Sequence, residues 1–343
     1  MAVDALRPET TAGPGGRGGA PASSARHAVA VVLTLAAAGA ALRLLDPSRF
    51  AWLQNFLIVL SSLLVEALPF VLLGALVSAA IEVFVPSSSF ARIARLPRPL
   101  QLPAAAMAGV AFPVCECGSV PVARRLVSKG LAPSAAVTFM LAAPILNPVV
   151  VASTLVAYRG RDSLWTMVLG RMGLGFLVAV AVGLVVGRVR GEDLLRPRPG
   201  DDDHDADEDE PRWSRFFGHL SGDFVFMGKF LVMGAAIAAA VQTFVPQSVI
   251  GRVAGTPVLD LVAMMALAFL LSLCSESDAF VAASFVQFGP AAQLAFLVLG
   301  PMVDIKLAAL YAGTYSRGFL RTVVITVGAV TLAGTMWIKV VAG

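Results

Sequence analysis

The sequence predicts an all-α polytopic membrane protein: two inverted repeats, each with three spanning helices and a re-entrant helical hairpin, plus one N-terminal helix. Three observations carry this. Of 343 residues, 57% are hydrophobic and 14% charged, whereas soluble domains carry roughly 25% charged residues. Landmarks recur at near-constant spacing: Gly74, Phe84 and Pro86 match Gly234, Phe244 and Pro246, while Pro133, Phe139, Pro144 and Tyr158 match Pro290, Phe296, Pro301 and Tyr315. Each half also contains a polar break directly after an apolar run, Cys115-Glu116-Cys117-Gly118 in the first and Cys274-Ser-Glu276-Ser-Asp278 in the second.

The elements follow in order. Residues 1–26, rich in Gly, Pro, Ala and Ser, predict a disordered tail. The apolar run within 27–49 has too long a leader for a signal peptide and predicts an extra transmembrane helix. Residues 50–190 form the first repeat. It opens with a helix from about 52 to 85 that contains Glu66 and Pro69, followed by short apolar segments at 102–114 and 119–131 on either side of the cysteines. A helix at 133–157 is interrupted by Pro144-Ile-Leu-Asn147-Pro148, and another follows at 163–187. Residues 191–215 read as an acidic cytoplasmic linker, and 216–343 repeat the pattern, with Asp304 falling where Asn147 stands.

The segments beside the first break are well short of the roughly 20 residues a span requires. Loop charge decides between crossing and turning back. If the break is a hairpin tip, Arg92, Arg95, Arg98, Arg124, Arg125, Lys129, the linker arginines, Arg317 and Arg321 share the cytoplasmic side with the N-terminus. Arg49, Arg159, Arg161, Arg252 and Lys339 then lie opposite. A full crossing erases that bias. Three spans plus a hairpin per repeat invert one repeat relative to the other, so the two tips meet near the midplane. Trp52, Trp165 and Trp337 fall near helix ends, as interfacial anchors.

Pro113, Gly118 and Pro121 are expected to stop a continuous helix around the cysteines. Backbone freed at that depth is tolerated only when buried in protein or facing a water-filled cavity. The spacing of Cys115 and Cys117 lets two sulfurs approach one soft ion. Glu116 supplies charge balance or carries a proton, and Cys274, Glu276 and Asp278 complete a cluster from the second tip. Pro144, Pro148 and Pro301 mark unwound helix segments. There Asn147 and Asp304 offer oxygen ligands, and Glu66 and Lys306 join Glu116, Glu276 and Asp278 as candidates for proton coupling. Against these stand plain readings: cysteine as a small packing residue, proline as a simple kink, and Asp304 and Lys306 as a pair with each other. Three cysteines make no disulfide framework. His27, His204 and His219 lie outside or at the edges of apolar runs, which argues against a histidine-built intramembrane metal site. The net charge of +4 is mostly loop arginine and points to no nucleic acid.

Phe112-Pro-Val-Cys-Glu-Cys-Gly-Ser-Val-Pro121, with Leu-Ala-Ala-Pro144-Ile-Leu-Asn147-Pro148 downstream, resembles the bacterial predicted-permease family that includes the ArsP organoarsenical exporters and YraQ-like proteins. Leu-Cys274-Ser-Glu276-Ser-Asp278 and Gly-Pro301-Met-Val-Asp304-Ile-Lys306 are similar to its YcgR-like branch. The resemblance covers roughly residues 50–340. It implies a plasma-membrane permease rather than an enzyme, with thiols handling trivalent arsenicals in ArsP-type relatives and a second membrane subunit beside YcgR-like ones. The second half departs from a cysteine pair, carrying Cys274-Ser-Glu276.

Three functions are therefore weighed, beside a purely structural subunit, which would not need carboxylates at both breaks. The first is a secondary transporter of a thiophilic metal or metalloid, organoarsenical-like or a divalent soft metal such as zinc. In that reading Cys115, Cys117 and Cys274 are the metal-binding thiols, the metal is substrate rather than cofactor, and the protein acts as a homodimer or with a second subunit in the bilayer. The second is a permease for a small anionic or sulfur-containing solute, and the third a membrane thiol oxidoreductase using Cys115 and Cys117.

Overall fold

The computed structural model describes residues 51–86, 97–111, 114–187, 194–196, 211–244 and 258–342. The N-terminal tail and helix expected over 1–49, the acidic run and Pro113 lie outside them. Contacts below concern the compact unit Asn55–Gly343.

The first half contains α1 (Ala51–Phe84), α2 (Arg98–Ala111), α3 (Glu116–Ser128), α4 (Pro133–Leu146), α5 (Pro148–Ala157) and α6 (Leu164–Val186). The second contains α7 (Arg212–Phe244), α8 (Leu259–Leu271), α9 (Asp278–Ser284), α10 (Pro290–Leu299), α11 (Ile305–Thr314) and α12 (Arg317–Ala342). Among the described residues, 5 helical stretches are long and apolar enough to cross a bilayer: 51–84, 133–157, 164–186, 212–244 and 317–341. The fold is thus all-α and multi-spanning. Helix α7 begins at Arg212, inside the stretch expected to be linker.

The repeated landmarks occupy equivalent places. Pro133 and Pro290 open α4 and α10, where a proline's missing N–H costs nothing and its φ is already helical. Asn147 and Asp304 are the N-caps of α5 and α11, accepting from the Val149 and Leu307 N–H groups at 2.9 and 2.6 Å. Tyr158 and Tyr315 end those same helices and are fully buried. Each hydroxyl reaches into the other half: Tyr158 donates to Gln293 Oε1 at 2.9 Å, and Tyr315 to Met140 Sδ at 3.4 Å.

Helix directions follow from contacts. Leu102 of α2 lies near Gly183, where Ser134 and Thr138 of α4 also pack, whereas Gly109 faces Ala143. Helix α2 therefore runs alongside α4 in the same direction. In α3, Ser119 donates to the Met140 carbonyl at 3.0 Å, while Leu126 and Val127 join Ala135 and Ala136 in one cluster, so α3 runs against α4. Helices α2 and α3 thus run in opposite directions along α4. Small residues permit these approaches, as they do between helices in bilayers generally. A Cβ at Gly74 would lie 2.5 Å from Gly118 Cα, and one at Gly234 would lie 2.9 Å from Lys306 Cα.

Later in the chain than α6, Leu194–Arg196 pairs with the turn between α11 and α12. Arg196 N–H donates to Thr314 O at 3.1 Å and Ser316 N–H to Leu194 O at 3.0 Å. Arg124 clamps the same spot, donating to the Arg196 and Thr314 carbonyls. Helix α12 then ends beside the start of α8, where Lys339 pairs with Asp260 at 2.6 Å.

Two expectations need correction. Gly118 and Pro121 do not break a helix; both lie inside α3, and the interruption precedes Glu116, with Cys115 extended at φ −71° and ψ 175°. Pro144 is likewise inside α4, which continues to Leu146 and breaks at Asn147. A proline within a helix frees the carbonyl four residues before it, and in a membrane protein neighbouring polar groups and packed helices can take up such a group. Pro148, at the first position of α5, and Pro301, in the 300–304 break between α10 and α11, do mark breaks.

Candidate functional site

The two polar breaks come together. Cys115 caps α3 and Cys117 is the second residue of that helix, while Cys274 follows Ser272, whose left-handed φ of 49° closes α8. All three thiols are free and buried. Cys115, Cys117 and Cys274 belong to the same buried cluster. A serine in left-handed backbone is held only where its surroundings enforce it. Here Ser272 Oγ accepts from the Ile305 N–H at 3.2 Å, tying the cysteine break to the start of α11.

Carboxylates crowd the same point. Cys274 donates to Glu276 Oε2 at 2.8 Å, and Ser275 Oγ donates to Glu116 Oε2 at 2.9 Å, joining the two tips. Glu116, Cys274 and Glu276 each present one ligand atom, all within 4.8 Å of one another. Zinc-type bonds of about 2.0–2.3 Å separate adjacent ligands by somewhat less than 4 Å. A contraction of about an ångström would close the cluster on a divalent ion, so the donor set fits a metal. Glu116 sits in the first turn of α3, where the positive helix end favours an anion.

Around this core, Lys306 Nζ lies 4.0 Å from Glu116 Oε1 and 3.9 Å from Asp304 Oδ2. Neither oxygen accepts a hydrogen bond among the described residues, although both are buried. Glu66, from α1, accepts from Ser277 Oγ at 2.9 Å. Asp278 is elsewhere engaged, pairing with Arg171 of α6 at 2.8 Å with both side chains buried.

The structure therefore gathers Cys115, Glu116, Cys117, Cys274 and Glu276, with Lys306, Asp304 and Glu66 at the margin. Asn147 caps α5, and Gly118 packs against Gly74. Arg125 and Lys129 are tied up inside the protein, Arg125 with Glu82 and Asp223 and Lys129 with Glu82, each at 3.2 Å. Arg171, Ser275 and Ser277 were not singled out from the sequence. Arg171 had a signal, since a single arginine within the apolar run 164–186 is an intramembrane charge that needs a partner. Arg171 also donates to Thr154 Oγ1 at 3.0 Å and to the Ser275 carbonyl at 3.1 Å, so it braces the second tip.

Comparison with known proteins agrees with this architecture. The family model ArsP_1, described as "Predicted permease", matches residues 52–340. The chain is 39% identical over 295 residues to "UPF0718 protein YcgR" of Bacillus subtilis (strain 168), covering 85% of this chain and 98% of that protein. It is 32% identical over 268 residues to "Putative two-component membrane permease complex subunit" of Streptococcus mutans serotype c, covering 77% of this chain and 88% of that one. No solved structure matches the chain significantly. The helical breaks, the buried acid and thiol groups and these matches have one reading: the chain belongs to the ArsP_1 family of permeases, membrane transport proteins rather than enzymes.

Proposed function

We propose that this permease moves a thiophilic cation, a divalent soft metal or a trivalent metalloid species, through the chamber formed by the two breaks. One observation carries the reading: three thiols and two carboxylates, from chain segments about 160 residues apart, converge on one buried point. Softness of the ligand set selects such ions over hard ones. Charge favours a cation over an anion, because among the described residues the carboxylates of Glu66, Glu116, Glu276, Asp278 and Asp304 are set against two basic groups, Lys306 and Arg171. Excess negative charge away from water is costly unless a cation or protons neutralise it. That balance disfavours the anion permease.

The contacts support a carrier architecture. Helices α2 and α3, short and oppositely directed beside α4, suit a re-entrant hairpin. Helix α8 with the 272–277 break is its counterpart in a repeat spanning 216–343. The link from Leu194–Arg196 to the start of α12, with the end of α12 beside α8, suits a second repeat inverted relative to residues 50–190. The N-terminal tail and the 191–215 linker would then be cytoplasmic, and the hairpin tips would gate the chamber alternately. Glu116 and Glu276 would exchange protons against the cation, with Lys306 as the charge that holds Glu116 when no substrate is there. The S. mutans relative's name makes a second membrane subunit a reasonable partner.

Elemental analysis of purified protein incubated with cadmium, zinc or phenylarsine oxide tests this. Wild type should retain about one equivalent of at least one of them. Cys115→Ser, Cys274→Ser and Glu116→Gln should each lower retention at least about tenfold, the loss expected when about 1.4 kcal/mol of ligation disappears. Retention unchanged in all three variants would end the proposal.

A further inference from the structure

A second site lies on the outer surface, away from the thiol chamber. Helices α7, α11 and α12 enclose an open groove of about 640 Å³. Its walls are apolar, with Phe230 and Met233 from α7 and Val324 from α12, and its remaining lining includes Arg196, Arg317 and Arg321. The arginines are not scattered. Arg317 and Arg321 are one helical turn apart, so they share a face of α12, and Val324 and Ile325 continue that stripe. Arg196 is held nearby by its backbone bond to Thr314 and by Arg124 on its carbonyl. Both α12 arginines are exposed, and none of the three pairs with an acidic side chain among the described residues. Lys229 adds a further cation, 5.2 Å from the Phe230 ring.

The groove thus changes from cationic to apolar along α12. Arg317 and Arg321 lie in the first turns of a helix that then becomes apolar enough to span, which puts them at the level of the headgroups. Guanidinium forks bind phosphate oxygens in pairs, and basic pockets between transmembrane helices take anionic headgroups. The concave wall below them suits an acyl chain better than flat helix packing would. We infer that this groove is a binding site for an anionic phospholipid of the bilayer, its phosphate on Arg196, Arg317 and Arg321 and one chain along Phe230, Met233 and Val324. The site is independent of the transported substrate.

Full-length protein, delipidated in mild detergent, is titrated with phosphatidylglycerol or phosphatidylcholine and followed by native mass spectrometry and thermal stability. Wild type should bind phosphatidylglycerol at least about tenfold more tightly than phosphatidylcholine and melt higher with it. The triple variant Arg196→Gln/Arg317→Gln/Arg321→Gln should lose that preference. Val324→Trp, which fills the apolar wall and keeps every arginine, should also weaken binding and so covers failure of the triple variant to fold. Glycerol phosphate, with the headgroup but no chain, should not compete. Equal binding of both lipids to wild type, or wild-type preference in either variant, overturns the proposal. So does a preference that emerges only after residues 201–210 are removed, since that acidic stretch would then be the occupant.

Discussion

At the scale of single residues, the interior holds charges that must answer to one another. Arg171 and Asp278 are both almost wholly buried, and each is the other's charge partner. Removing one member leaves a bare charge, so Arg171→Met should lower stability by about 3–5 kcal/mol. The double variant Arg171→Met/Asp278→Leu should regain much of that loss, as thermal unfolding of detergent-purified protein would show. If the double variant is no more stable than the single one, the pair is not what holds the second tip. Lys306 differs, because it lies about 4 Å from two carboxylate oxygens that accept no hydrogen bond among the described residues. That looseness suits a group that yields its neighbour to an arriving cation. Cadmium retention should accordingly survive Lys306→Met and fall with Glu276→Gln.

At the scale of elements, helix ends and small residues place the cluster of acid and thiol groups. Asn147 and Asp304 are capping residues first, and Asn147→Ala should cost about 0.5–2 kcal/mol through loss of the bond to Val149. Transport by that variant, assayed at a temperature where it stays folded, separates capping from substrate contact. Capping alone predicts near wild-type flux. The contact of α1 with α3 depends on glycine at 74, where a Cβ would meet Gly118 backbone at 2.5 Å. Backbone cannot move aside as a flexible side chain can, so Gly74→Val should destabilise by about 1–3 kcal/mol or more. It should also disturb the cysteine tip, visible as faster labelling of the buried thiols by a small maleimide. The same substitution at Gly228, where a Cβ meets nothing within 4 Å, is the control.

At the scale of the molecule, the proposed inversion makes a topological prediction. Asp162 follows α5 in the first half, and Gly318 lies just after the corresponding α11 in the second. Inverted repeats put these two exposed positions on opposite membrane faces. Asp162→Cys and Gly318→Cys, probed in sealed right-side-out vesicles with an impermeant maleimide, should label from opposite sides. Labelling of both from one side would favour parallel repeats and remove the reason for the two tips to meet.

Much of this was legible in the chain because the responsible signals are local. Hydropathy over about 20 residues marks a span, and proline, asparagine and aspartate mark helix starts, since these follow from the backbone's own hydrogen-bonding needs. The matched landmarks were legible for the same reason: they are helix starts, caps and buried tyrosines. What spacing alone could not decide was where each break falls. Pro121 and Pro144 look like breakers but sit inside helices, because surrounding side chains and close packing retain the helix where an isolated segment would yield. Nor could it show that Asp278 belongs to Arg171, or that Ser275 joins Glu116. Those pairings span more than a hundred residues, and only the tertiary packing brings such partners within the few ångströms over which hydrogen bonds and buried charges act.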